Sequence, residues 1–184
     1  MTMDLFIDFL LAYNKKVNLV SRQSTRETLD LLVAETLLLK KFVSTPLIID
    51  AGSGGGLLGI PLAISFPEKK IILTETIHKK ANFLKEAILL LGLGNAKMFE
   101  GPIQEFMHRH DFYESTIIAR GFPKIEMLAN YMYEKKVKEL LLISSVDKIK
   151  KIQNTVVNIR QNLYNIPSRN NLIIFKLENV SRET

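Results

Sequence analysis

Hydrophobic positions along this 184-residue chain change their spacing near Pro46. Upstream, apolar residues recur at helical intervals over 3–13 and 25–43, and in the second stretch Leu29, Leu32, Val33 and Thr36 fall on one face. Ser24 or Thr25 stands where an N-cap belongs, with Glu27 in the first turn. Downstream, short apolar runs at 47–50, 70–75, 96–99, 115–119 and 138–144 alternate with helical stretches at 57–66, 78–92, 102–108, 123–134 and 146–158. That alternation predicts a mostly parallel, doubly wound sheet wrapped by helices. The final two runs, 160–166 and 171–177, are separated by the turn-rich PSRNN, so the sheet is expected to close with an antiparallel hairpin. No linker or repeat interrupts the pattern. It reads as one domain over 1–184, a helical cap at 1–44 on an α/β core at 45–184, with a frayed end at NVSRET.

Composition narrows the class. With 47% hydrophobic and 24% charged residues the chain is globular, and with no cysteine it has no disulfide, thiolate nucleophile or cysteine metal site. The first residues, MTMDLFIDFLLAYNKK, place Asp4 and Asp8 inside their apolar part, unlike a signal peptide. No apolar run approaches the roughly 20 residues of a membrane span. The expectation is a cytoplasmic protein with no membrane partner. The net charge of +6 and pI near 9.4 favour a polyanionic partner. Lys148, Lys150 and Lys151, with Lys135, Lys136 and Lys138, are the expected RNA-facing patch. His108, Arg109, His110 and Asp111 lack a clear third ligand and read as a solvated loop, so no metal is expected. Lys79 and Lys80 read as solvated, and Tyr13 as helix packing rather than a base-stacking ring.

The stretch DAGSGGGLLGIPLAI, 50–64, follows the first predicted strand. In a doubly wound sheet ligands sit beyond the carboxyl ends of the strands. Gly52, Gly54 and Gly56 let the main chain turn and approach a ligand, and the following helix offers its N-terminus. Two cofactor classes fit. Gly54, Gly56 and Gly59 satisfy the dinucleotide fingerprint G-x-G-x-x-G, while Asp50 with Gly52, Gly54 and Gly56 satisfies the S-adenosylmethionine pattern D-x-G-x-G-x-G. Glu75 ends the second strand where either class needs a ribose-binding acid. Asp50 tips the choice. A carboxylate there repels a pyrophosphate and attracts an ammonium or sulfonium, worth about 1 kcal/mol or more per charge pair.

Several segments resemble the glucose-inhibited division protein B family, small-subunit ribosomal RNA guanine-N7 methyltransferases. NLVS (18–21), the glycine loop with its G-I-P-L-A continuation, TETIHKKANFL (74–84), EGPIQEF (100–106) and ARGF (119–122) carry the likeness, which runs from about residue 13 to the hairpin. The resemblance implies a class I, Rossmann-like methyltransferase fold and S-adenosylmethionine as cofactor. It implies Gly52 and Leu57 at the methionine part of the cofactor, Glu75 at the ribose, and Ile103 and Gln104 flanking adenine. Arg120 is implied at the reactive end and the substrate.

The expected reaction is methylation of guanine N7 in small-subunit (16S) ribosomal RNA, on the RNA or the ribosomal subunit, by a monomer. N7 carries a lone pair and no proton, so transfer needs alignment more than acid–base chemistry. Arg120 can steer guanine or a phosphate with its fork of donors, and Phe122 can stack on a base. The chain departs from the family on the substrate side. Where the second helix usually carries H-[IL]-x-D-S it has VAETLLL (33–39), without the histidine and with Glu35 and Thr36 nearby. Where a lysine usually follows the fifth strand it has LISS (142–145), and the N-terminal region reads as shortened. Two other readings stay open: a non-catalytic or retargeted S-adenosylmethionine- or RNA-binding relative, and an NAD-dependent oxidoreductase.

Overall fold

A computed structural model describes residues 2–109, 112, 114–153, 160–166 and 172–178. Two helices, α1 (Thr2–Asn14) and α2 (Arg26–Leu38), come first, the second running into a short 3-10 turn at Leu39–Lys41. Strands and helices then alternate: β1 (Leu47–Ala51), α3 (Gly59–Ser65), β2 (Lys70–Glu75), α4 (His78–Leu90), β3 (Ala96–Glu100), α5 (Ile103–His108), β4 (Ser115–Arg120), α6 (Ile125–Glu134), β5 (Glu139–Ser145) and α7 (Val146–Gln153). β6 (Arg160–Asn165) and β7 (Leu172–Glu178) form the closing hairpin. The expected alternation and hairpin are both present. The predicted turn at PSRNN and the frayed end fall outside the described residues.

The seven strands order as β3-β2-β1-β4-β5-β7-β6, parallel through β5, with β7 antiparallel to both β5 and β6. Central strands are apolar on both faces, as parallel strands covered by helices on both sides must be. Ile48 in β1, Ile118 in β4 and Leu141 in β5 join one core with Phe6 and Leu10 of α1, Leu29 of α2, Leu62 of α3 and Phe83 of α4. Their neighbours Ile49, Ile117 and Leu140 point the other way, into a second core with Met107 of α5, Leu128 of α6 and Ile149 of α7. The two-residue period of the strands thus divides seven helices into two layers.

The cap is tied down by side chains. Thr25 Oγ1 accepts from the Thr28 amide as the N-cap of α2, as its sequence position suggests. Tyr13 packs against the stacked rings of Phe9 and Phe83 and its hydroxyl donates to Glu86, so it serves packing. Asn14 Oδ1 accepts from the amides of Leu19 and Val20, and those residues rest on Gly55, whose Cβ position lies 3.2 Å from Val20 Cγ1.

Candidate active site

From β1 the chain goes outward to β2 and β3, then returns to start β4 on the other side of β1. The crevice at that reversal, beyond the carboxyl ends of the strands, is where open α/β sheets bind ligands. The loop after β1 lies there. Gly52, Gly54 and Gly56 have φ of +70°, +55° and +74°, values that L side chains rarely adopt. The Ser53 amide donates to the Thr74 carbonyl at 2.8 Å and the Gly54 amide donates to Glu75 Oε2 at 2.9 Å, so the loop is stitched to the end of β2.

Asp50 sits behind this loop. It is 1% exposed, and its Oδ2 accepts the N–H of Gly59, the first residue of α3, at 2.9 Å. Burial pushes its carboxyl up to about 7, against the opposing pull of its hydrogen bonds and of Arg120. No side chain fits at position 59, where a Cβ would stand 2.9 Å from both Asp50 Oδ2 and Leu73. Asp50 therefore caps a helix and supports the loop from below, and its carboxylate does not line the crevice.

Glu75 faces the crevice. Its Oε2 takes the Gly54 amide and its Oε1 the Ile77 amide at 2.8 Å, which fixes the carboxylate between the loop and the start of α4. Oε1 also takes the Thr76 hydroxyl at 3.4 Å, while Oε2 keeps a further lone pair for a ligand hydroxyl. The crevice holds a cavity of about 360 Å³. Gly52, Glu75, Ile103, Gln104 and Arg120, all expected from sequence, line it. Gly54, Gly56 and Leu57 lie outside its wall and, with Asp50, build the loop from behind. Thr74, Phe122, Lys124 and Met127 are also among the lining. A fixed carboxylate beside the apolar side chains of Ile103, Phe122 and Met127 suits a nucleoside, a polar sugar joined to a flat base.

Arg120 ends β4. Its Nη2 donates to the Leu32 carbonyl at 3.2 Å and to Thr36 Oγ1 at 3.3 Å, and lies 3.5 Å from Glu35 Oε2. The arginine thus reaches from the cavity wall into α2. Thr74 and Met127 escaped the sequence reading. Thr74 precedes Glu75 and has the signal of that neighbourhood, whereas nothing in the spacing of α6 marks Met127.

The expected basic patch divides in two. Lys148 and Lys150 are exposed on α7, after β5, while Lys135, Lys136 and Lys138 precede β5. A strand of seven residues puts about 20 Å between the groups. Lys135, Lys136 and Lys138 therefore lie at the end of the sheet away from the cavity, and Lys138 pairs with Glu114 at 3.2 Å. The side chain of Lys151 lies outside the described residues, as do His110 and Asp111. Among the described residues no group of three or more His, Cys, Asp or Glu side chains could hold a metal, and no helix is long and apolar enough to cross a membrane.

A mostly parallel sheet of this order, with a glycine loop after its first strand and an acid closing its second, defines a class I, Rossmann-like methyltransferase fold. A S-adenosylmethionine-dependent methyltransferase from Aquifex aeolicus superposes with a TM-score of 0.62 at 17% identity, over 82% of this chain and 92% of that one. More particularly, the chain belongs to the GidB family, rRNA small subunit methyltransferase G, whose pattern matches residues 1–170. The Ribosomal RNA small subunit methyltransferase G of Brachyspira hyodysenteriae is 36% identical over 181 residues, 97% of this chain and 84% of that protein. That of Marinobacter nauticus is 33% identical over 126 residues, 68% of this chain and 58% of that protein, under two thirds of its length.

Proposed function

We propose that this protein is an S-adenosylmethionine-dependent methyltransferase acting on guanine N7 of small-subunit (16S) ribosomal RNA, working in the cytoplasm as a single-domain monomer over 1–184. One observation carries the reading. Glu75 and Arg120 face the same cavity from opposite sides of a positive-φ glycine loop, an acid for a sugar diol and a forked cation for a nucleic acid. When bound, the cofactor supplies an electrophilic methyl group on sulfur.

The chain's own residues align the partners. Glu75 accepts the ribose hydroxyls, and Ile103 and Gln104 flank the adenine. Gly52 borders the methionine part, on a loop shaped from behind by Asp50, Gly54, Gly56 and Leu57. Arg120 holds guanine or an adjacent phosphate so that the N7 lone pair points along the sulfur–methyl bond, and no side chain has to remove a proton. Alignment of this kind is worth several kcal/mol of barrier.

Titration calorimetry with S-adenosylmethionine and with NAD, followed by transfer of a labelled methyl group to small-subunit RNA and to intact small subunits, tests the proposal. The expected result is heat with the first ligand only and label at guanine N7. Heat with NAD alone removes the methyltransferase reading. Cofactor binding with no transfer to either substrate marks a non-catalytic relative.

A further inference from the structure

Thr36 lies in the last turn of α2, is fully buried, and carries a hydroxyl where an aliphatic side chain of the same shape, valine, would fit. A buried hydroxyl is costly unless it is used. This one is used twice between elements far apart in the chain. It donates to the carbonyl of Leu57, in the glycine loop, at 2.7 Å, and it accepts from Arg120 Nη2, at the end of β4, at 3.3 Å. Its alternative acceptor, the Leu32 carbonyl one turn back, is farther at 2.9 Å and itself takes Arg120 Nη2. Glu35, 2% exposed and next to it on the helix, stands 3.5 Å from the same guanidinium nitrogen.

We propose that Thr36 is a positioning residue that couples Arg120 to the cofactor loop, so that the substrate-side guanidinium and the cofactor-side main chain are held as one unit. The inference rests on the reading of the site given above, in which the glycine loop that Leu57 closes borders the cofactor and Arg120 meets the RNA. Thr36 touches neither ligand. It passes order from one to the other through a chain of donors and acceptors: Arg120 N–H to Thr36 oxygen, Thr36 O–H to Leu57 oxygen. A rigid Leu57 carbonyl fixes the loop at the methionine end. A guanidinium held by the same hydroxyl then keeps its position relative to the methyl group. Binding at either side lowers the cost of ordering the other, which is a reciprocal coupling between cofactor and RNA.

The test uses the full chain with Thr36→Val and Thr36→Ser, each read by thermal melting, by calorimetric affinity for S-adenosylmethionine and by single-turnover methyl transfer to small-subunit RNA. Thr36→Val keeps the shape and removes the hydroxyl. It is expected to weaken cofactor binding about tenfold and to slow transfer by more than that. Thr36→Ser keeps the hydroxyl and is expected to restore both to within about threefold of the parent. In an Arg120→Lys background the Thr36→Val loss should shrink, because one end of the relay is already gone.

Equal affinity and rate in folded Thr36→Val overturn the proposal. So do equal losses in Thr36→Ser and Thr36→Val, which would mark packing of the side chain, and simple addition of the Thr36 and Arg120 effects. If Thr36→Val fails to fold, Thr36→Ala carries the same comparison. Absence of cofactor binding in the parent removes both the site reading and the coupling. Binding by the parent with Thr36→Val indifferent removes the coupling alone.

Discussion

The two ends of the sheet each carry a cavity, and the larger one is not the candidate site. At the amino ends of β2 and β3 a depression of about 610 Å³ is lined by residues such as Ala63, Pro67, Lys69, Gly92 and Asn95. Its polar groups are occupied in closing loops. Asn95 Nδ2 reaches the carbonyls of Ala63, Phe66 and Lys69, and Lys69 Nζ donates to the Thr45 carbonyl. At the carboxyl ends, about 360 Å³ is bordered by a fixed carboxylate, a guanidinium and a backbone turned into left-handed conformations. Volume therefore does not locate function here. Convergent charge and a main chain turned through positions that only glycine adopts freely do.

The largest expected effects separate the two walls of the smaller cavity. Arg120→Ala should slow methyl transfer on the order of a hundredfold while changing cofactor affinity by less than about fivefold. Glu75→Gln should do the reverse, weakening the cofactor about tenfold or more while transfer at saturating cofactor falls less. Matching losses in both variants would mean that Glu75 and Arg120 do not divide between cofactor and substrate. Calorimetry and single-turnover labelling read both.

A smaller effect probes what lies under the loop. The Asp50 carboxyl is raised in the folded protein from an unfolded value near 3.8 to about 7. An acid raised on folding contributes its stability below the unfolded value and loses it as pH climbs through the folded one. The loss across pH 4–7 reaches up to about 4 kcal/mol for a shift of this size. Asp50→Asn keeps an oxygen for the Gly59 amide and removes the buried charge. Its melting temperature should exceed the parent's at pH 8 and converge with it near pH 4. A difference that does not change with pH would show that Asp50 does not titrate on folding.

The smallest expected effect is at the far end. Lys138→Ala removes a cation paired with Glu114 on the side away from the cavity, and RNA affinity at fixed salt should stay within about twofold of the parent. A loss of tenfold would bring that end of the sheet into the RNA-binding surface.

What could be read from sequence follows the same division. The glycine loop and Glu75 are contiguous in the chain or follow at the fixed spacing of one strand–helix–strand unit, so periodicity finds them. Arg120 meets α2 across eighty-four residues between it and Thr36, and no local pattern announces that contact. VAETLLL therefore looked like a departure because a histidine is missing. In the folded chain its acid and hydroxyl, Glu35 and Thr36, stand on Arg120. The expected role of Asp50 was legible as an acid near the loop but not as a cap. Nothing in the spacing tells which way a buried carboxylate points. The lysine patch failed for the plainest reason, that residues near in sequence flank a strand at opposite ends.

The strand order has one further consequence, for how the chain reaches this state. β7 lies between β5 and β6 although it follows both in the chain. Until residues 172–178 arrive, β5 has a bare edge, and β6 has no neighbour in the sheet to pair with. The parallel half, with the glycine loop and Arg120, can assemble from residues 47–145 first, while its open flank is exposed to pairing with another nascent copy. Insertion of the late strand seals that flank, so self-association during synthesis and the completion of the sheet compete for the same row of β5 backbone groups.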